Sequence, residues 1–449
     1  MTQRVLEARL VEGMRELLVD GSFASRHRAH EKAFTRQRSL TFARVMLLVI
    51  QKTLRSVQLH LHDFFAALSG SGPLRTVTAS AWTQARAKLR HTAFIELSQK
   101  AIVEPFYASA EGPVLWRGHR LLALDGSVIR LPQQPELFAH FGGQQEIVNQ
   151  KGPCGGELPL ARLSVLYDCL NRLVLDAQVG QYTQGEHALS RLHLRAAAAK
   201  GDVVLADRGY ASYLLLAEFA ARGMDFVVRC KQQFSAEVAA LFERNEDGVS
   251  LTVTLSARSR RKEAKAAGLP LEMKVRFVSV RLPTGELEVL VTSLLDEQAY
   301  PSEEFLELYH LRWGIETFFG LLKGRLSLEN FSGLTVEAVL QDIHSTILLT
   351  NLESVLTREA AKRLPQPETT QERRRHRKKI NRAVSFHALK GRVLELLLGS
   401  KPVEEVLEEL STLFLSTPVS VRPERAQPRK PTVYARLVHY LKHRKKHVF

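Results

Sequence analysis

Hydrophobic positions in the first 110 or so residues recur at mixed three- and four-residue spacing, the period of a helix face. The pattern predicts helices over Leu40–Val57 and Leu59–Leu68, followed by a loop at SGSGP (Ser69–Pro73). Thr78 is a good N-cap for a further helix from Ala79 to Leu89. From His119 the texture becomes that of strands. HRLLALDGSVIRLP predicts a short apolar strand with an acid at its end, and LARLSVLYD with LVLDAQVG predict a hairpin around Cys169–Arg172. Glu186–Lys200 reads as a helix stopped by Gly201, and Asp202–Asp207 as a buried strand. Ser212–Arg222 reads as a helix followed by Gly223, and MDFVVR as another strand. Leu251–Leu255, Met273–Arg281 and Glu286–Leu294 are three more strands that break the alternation. Ser302–Gly324 predicts one long helix; helices continue to about Leu364 and resume over Ala388–Leu415, beyond a polar, basic linker at Gln366–Arg382.

This order predicts an α/β domain built from residues 115–230 and 301–364 and interrupted by a β-rich insertion at 231–300. A helical region (1–114) precedes it, and a basic linker with a helical and tail region (365–449) follows. The chain's 449 residues are long for one domain, and 45% hydrophobic with 24% charged residues is ordinary globular composition that excludes wholesale disorder. Charge changes the picture more. A formal net charge of +16 points to a polyanionic partner, nucleic acid before an acidic membrane surface. Cys154, Cys169 and Cys230 are too few and too scattered for a disulfide framework or a thiolate metal cage, which fits a reducing cytoplasm. The longest aliphatic run, Val45–Ile50, falls far short of the ~20 residues of a spanning helix, so neither secretion nor membrane insertion is expected.

Three acids carry candidate chemistry. Asp125 is placed at a strand end before Gly126 and Ser127, Asp207 at a second strand end in ADRGY, and Glu316 on the long helix in YHLRWGIETFFGLLK. Acids at strand ends of an α/β sheet stand where ligands bind. At about 100° per residue, Tyr309, Arg312, Glu316 and Lys323 fall within an arc of roughly 60° beside an apolar face. Three carboxylates from two strands and a helix can bracket a pair of divalent ions about 3.5–4 Å apart, which would activate water and stabilise a leaving oxygen in phosphodiester cleavage. Arg312 and Lys323 suit phosphate contacts, and Tyr309 suits a phosphate hydrogen bond or base stacking. Singly, each has a bland reading: an Asp after a strand caps a turn, a Glu on a helix is solvated, and Arg/Glu at i,i+4 is a surface ion pair. Their conjunction with this element order and this charge favours chemistry.

The same residues resemble the DDE transposases of the insertion sequence 4 family. That family carries Tyr-x2-Arg-x3-Glu-x6-Lys around its catalytic glutamate, here Tyr309, Arg312, Glu316 and Lys323. LDGSVIRLP and VVLADRGY are similar to the contexts of its two aspartates, here Asp125 and Asp207. The resemblance covers roughly residues 115–350. It implies an RNase H-like catalytic domain and two Mg²⁺ ions, with Mn²⁺ as substitute, held by Asp125, Asp207 and Glu316. It further implies double-stranded DNA partners (terminal inverted repeats and target), a homodimer on paired ends, and action in the bacterial cytoplasm at the nucleoid. The implied reaction is cut-and-paste transposition; the alternatives are an RNase H-like endonuclease without strand transfer and a non-catalytic DNA-binding derivative. The insertion has no Trp between Gln232 and Tyr300 to hold a flipped base, as some relatives are described to have.

Other features weigh less. Gln84, Arg86 and Lys88 are candidates for the solvent face of a DNA-reading helix, with the N-terminal helices giving end specificity. The run Arg373–Lys379 and the cationic tail from Arg422 would add non-specific grip. Glu186 before His187 reads as a solvent-exposed helix residue, with approach to the acids as the alternative. KGPCGGE (Lys151–Glu157) lies before a strand rather than a helix, which weakens it as a phosphate cradle, and no P-loop is found.

Overall fold

The computed structural model describes residues 5–36, 38–52, 56–69, 77–145, 157–364 and 378–421. Most of the SGSGP loop, of KGPCGGE and of the basic linker, and the tail from Arg422, lie outside these residues. The chain divides into two compact units: Val114–Leu321, and Met1–Pro113 together with Leu322–Phe449. Helices from both flanks of the α/β domain therefore share one unit.

The α/β unit contains β1 (Leu121–Arg130), β2 (Gly143–Gln145), β3 (Glu157–Asp168), β4 (Leu173–Gln181), β5 (Val203–Ala206), β6 (Asp225–Arg229), β7 (Ser250–Ser256), β8 (Glu272–Arg281) and β9 (Leu287–Thr292). They form one sheet in the order β2-β3-β1-β5-β6-β9-β8-β7, with β4 pairing β3. β1, β5 and β6 are parallel, β3 runs antiparallel to β1, and β4 runs antiparallel to β3. A parallel centre flanked by an antiparallel hairpin is the expected RNase H-like arrangement. All four residues of β5 are buried, as a strand with neighbours on both edges and helices in the same unit requires. The hairpin turns where the sequence placed it: the Asp168 carboxylate accepts the Leu170 and Asn171 N–H groups at 2.9 and 2.8 Å, and Arg172 takes φ 56°.

One expectation is corrected, and the place of the β-rich insertion becomes explicit. β9 pairs antiparallel with β6 (Val228 opposite Val291), so the insertion extends the same sheet and covers the edge that β6 would otherwise expose. The predicted helix Ser302–Gly324 is interrupted. It comprises a 3-10 turn at Ser302–Glu304, helices Phe305–His310 and Trp313–Gly320 with turn residues between, and a π-helical turn at Leu321–Arg325. Phe305, Leu308 and Tyr309 pack with Leu121, Val203, Leu205, Val227 and Val278 on one face of the sheet. Arg276 on β8 is fully buried and donates to Ser250 Oγ, the Tyr300 carbonyl and Ser302 Oγ at 2.7, 2.6 and 2.7 Å. It thereby ties the insertion to the start of the segment that carries Glu316.

The other unit is helical. Its longest helix, Val336–Lys362, buries polar as well as apolar residues. Thr78 does cap the helix Ala79–Arg86, accepting the Ala81 N–H at 3.2 Å. Arg86, predicted for the solvent face, instead points inward. It is 5% exposed and donates to Asp342 Oδ1 at 2.8 Å, Gln341 Oε1 at 2.8 Å, Ser332 Oγ at 2.7 Å and the Ala338 carbonyl at 2.8 Å. Its partners lie some 250 residues away in sequence, so helical periodicity could not reveal them. Gln84 is exposed and Lys88 half-exposed.

Burial pushes the Asp342 carboxyl up, but Arg86, Lys52 and the Ser332 donors outweigh it and hold the group below its ordinary value. A depressed carboxylate stabilises the fold above its unfolded pKa and loses that contribution as pH falls through the depressed value. Arg86→Met leaves a buried charge with less compensation. It is expected to cost roughly 3–5 kcal/mol in urea unfolding at pH 7 and to lose most of the acid-dependent part of the stability curve. A loss under about 1 kcal/mol would show the pair to be incidental.

Candidate active site

The register of two parallel strands assembles the site. Leu124 pairs with Ala206, so the next residues, Asp125 and Asp207, stand side by side at the carboxyl end of β5. Asp125 does not end its strand as predicted. β1 continues to Arg130 along β3, and it is only the parallel partner that stops. Alternation along the strands puts Leu121, Leu205 and both aspartates on the face that packs against Phe305–Tyr309. Burial first, and then the charges of Asp207 and Glu186, push the Asp125 carboxyl up to about 6, against the pull of the Gly126 N–H and Arg312. The Asp207 carboxylate accepts the Gly209 N–H at 2.8 Å.

Glu316 lies on the helix Trp313–Gly320, where Phe318 stacks on Tyr167 of β3 with ring centroids 5.1 Å apart. Its carboxylate accepts from Arg312 Nη2 at 2.9 Å. Arg312 is 6% exposed, with its guanidinium over the Tyr309 ring at 5.4 Å and its Nε without a hydrogen-bond partner among the described residues. Its charge reaches Asp125. Tyr309 is 4% exposed, and its ring belongs to the apolar cluster, which leaves it no free face for a base; its hydroxyl has no partner among the described residues. Lys323 lies on the π-helical turn, past the Leu321/Leu322 boundary and so in the other unit. The interrupted helix thus keeps Tyr309, Arg312 and Glu316 together but not as one continuous α-helical stripe.

Glu186 is the residue that sequence reasoning set aside. It is partly buried, receives Arg162 Nη1 at 2.6 Å, and its charge acts on Asp125. The helix it begins runs over Glu186–Ala196. The only signal in the sequence is its position at a helix start directly after the hairpin.

Oxygen-only donors with unbalanced negative charge suit a hard divalent cation rather than a soft metal. Among the described residues, no three or more His, Cys, Asp or Glu side chains are already gathered closely enough to hold one. Glu316 would have to turn from Arg312 to join the aspartates.

Two acids stand on neighbouring parallel strands and a third on a later helix of the same unit. The family model for the transposase DDE domain matches residues 116–352, and the chain belongs to that family. Over 374 residues it is 25% identical to the transposase InsG for insertion sequence element IS4 of Escherichia coli (strain K12), covering 81% of this chain and 78% of that protein. The protein is a DNA transposase of the insertion sequence 4 type. Among solved structures it is similar to a piggyBac transposase synaptic complex with hairpin DNA. The TM-score there is 0.44 at 11% identity, over 96% of this chain and 84% of that one. No helix among the described residues is long and apolar enough to cross a membrane.

The glycines after each aspartate differ in tolerance. A Cβ on Gly209 would stand 3.0 Å from Asp207 Oδ1, whereas one on Gly126 would meet Glu186 and the Leu163 carbonyl only at an ordinary 3.7 Å. Gly209→Ala is therefore expected to displace the Asp207 carboxylate and lower DNA cleavage well below that of Gly126→Ala. Equal rates for the two variants would contradict this geometry.

Proposed function

We propose that this transposase cuts DNA at the ends of its own element and joins the freed 3′-hydroxyls to target DNA. Asp125, Asp207 and Glu316 are the acids assigned to two Mg²⁺ ions, for which Mn²⁺ would substitute. The observation that carries this reading is the Leu124–Ala206 pairing, which sets two carboxylates together where burial and mutual repulsion already push one of them up to about 6. When bound, the cations supply a Lewis acid for the attacking and leaving oxygens of an in-line displacement.

The chain's own residues do the rest. Asp125 and Asp207 present oxygens from a rigid strand pair, so little reorganisation accompanies the reaction. Arg312 is held in place by Tyr309 and Glu316; once Glu316 turns toward the aspartates, the guanidinium is released to a DNA phosphate. Tyr309, buried in ring and hydroxyl alike, is assigned to holding Arg312 rather than to contacting DNA. Lys323 is assigned to the DNA backbone. End recognition is assigned to the N-terminal helices, where Gln84 and Lys88 rather than Arg86 face outward. Linker and tail cations would grip phosphate without reading sequence. A homodimer on paired ends in the cytoplasm, at the nucleoid, completes the reading.

The test uses full-length protein, Mg²⁺ and DNA bearing an element end. Asp125→Asn, Asp207→Asn and Glu316→Gln are each expected to abolish nicking and to leave binding of that DNA close to wild type. Near wild-type cleavage by any one of them removes that residue from the triad. Strand transfer from pre-cut ends distinguishes a transposase mechanism from an endonuclease that cuts only.

A further inference from the structure

We infer that β7, the edge strand contributed by the insertion, is an interface between two copies of this chain, which pair there antiparallel about a two-fold axis at Val253. The inference names a surface for the homodimer proposed above and does not rest on the roles given to the acids. β7 (Ser250–Ser256) ends the sheet, and β8 is its one partner strand among the described residues. Ladder bonding alternates along an antiparallel strand. In register with that pairing, the Val249 carbonyl accepts the Ser279 N–H at 3.0 Å, and the Ala257 N–H donates to the Leu271 carbonyl at 2.8 Å. Leu251, Val253 and Leu255 therefore bond toward β8, while Ser250, Thr252, Thr254 and Ser256 direct their N–H and C=O groups outward. Among the described residues no backbone group meets them.

Proteins normally blunt such an edge with charge, proline or a bulge. Here the strand has no charged residue and no proline, and its register with β8 runs without a shift. Leu251, Thr252 and Thr254 are exposed.

The occupant follows from the sequence of the strand. SLTVTLS reads the same in both directions. A two-fold interface is self-complementary, so residue i meets j and j meets i. With the axis at Val253, every residue meets its own kind: Val253 its copy, Thr252 the other Thr254, Leu251 the other Leu255, and Ser250 the other Ser256. The threonine and serine pairs are those with outward backbone groups, so they exchange the new ladder bonds. The leucines and valines extend one apolar stripe, and no like charges are opposed. Charge outside the strand agrees with this direction. Exposed Glu246 and Asp247 precede β7, and exposed Arg258 and Arg260 follow it. Antiparallel pairing brings the acidic flank of each copy to the basic flank of the other. A strand pair this short is small for an interface, so the dimer is weak and depends on concentration.

The test measures the mass of the full-length protein without DNA by sedimentation equilibrium across a concentration series. Wild type is expected to pass from monomer to dimer. Thr254→Pro removes an outward N–H and no bond to β8, and is expected to weaken the dimer at least about tenfold. Val253→Cys places one thiol against its copy at a close, non-hydrogen-bonded pair. Mild oxidation is expected to cross-link it well above the wild-type background, whereas Leu251→Cys, which faces the other Leu255, stays near that background. This cysteine pair decides the matter if Thr254→Pro fails to fold. A wild-type chain that stays monomeric overturns the interface, as does an undiminished dimer in folded Thr254→Pro or equal cross-linking of the two cysteine variants. An undiminished dimer in Thr254→Pro leaves the proposed homodimer standing through another surface. A chain that also stays monomeric on paired element ends overturns that homodimer as well.

Discussion

The pairing of Leu124 with Ala206 is the constraint on which the active site depends. Parallel neighbours in register point their side chains the same way, and a slip of one residue would turn one aspartate to the opposite face. That slip is blocked by burial. Every residue of β5 is buried, as are Leu121–Leu124 of β1, so shifting either strand would draw a carboxylate into the apolar layer. The core therefore enforces the juxtaposition that the proposed chemistry requires. It also imposes a cost, since two like charges are fixed close together in a half-buried setting. The raised Asp125 carboxyl is the local expression of that cost, and a bound cation would relieve it.

Glu316 is held by a different logic. It sits on a helical segment that must lie on the aspartate face without being part of the sheet. Tyr167 and Phe318 fix the segment near β3, and Arg276 anchors its beginning through Tyr300 and Ser302. A fully buried guanidinium satisfied by one carbonyl and two hydroxyls specifies position strongly, because few other arrangements would supply those acceptors. The insertion thus supports the acid-bearing helix in addition to completing the sheet. The Glu316–Arg312 bond holds this acid from its own helical segment, whereas the aspartates are placed by the strand pair.

What was legible in the sequence follows from how local each signal is. LLALD and VVLAD are apolar runs closed by an acid, and the Tyr-Arg-Glu-Lys spacing is contained within fifteen residues of chain. Each announces itself without reference to anything distant. Arg86 and Glu186 were misplaced because their partners are remote: Asp342 for the first, and Arg162 of β3 for the second. An arginine on a short capped helix looks the same whether it faces water or a buried carboxylate. An acid in the first turn of a helix is also the ordinary complement of the helix dipole, so nothing in Glu186 itself signals a site. The attachment of β9 to β6 was hidden for the same reason, since strand propensity does not name the partner strand.

The buried chain Ser164–His193–Asp176 shows why geometry must be read together with access. His193 Nδ1 lies 2.7 Å from Asp176 Oδ2, and Nε2 lies 2.9 Å from Ser164 Oγ, the contacts expected of a serine hydrolase triad. Ser164 and His193 are each 0% exposed, so no acyl group can reach the hydroxyl. The network has another consequence. His193 lies seven residues beyond Glu186 on the same helix, which is two turns and hence the same face. Ser164 pairs with Gly126, the residue after Asp125, and therefore lies on the sheet face opposite that aspartate. Anchoring His193 to Ser164 and Asp176 fixes the rotation of the helix about its axis. That rotation sets Glu186 beside Gly126, where its carboxylate receives Arg162, so a chain of groups buried from solvent fixes the position of an acid at the helix start.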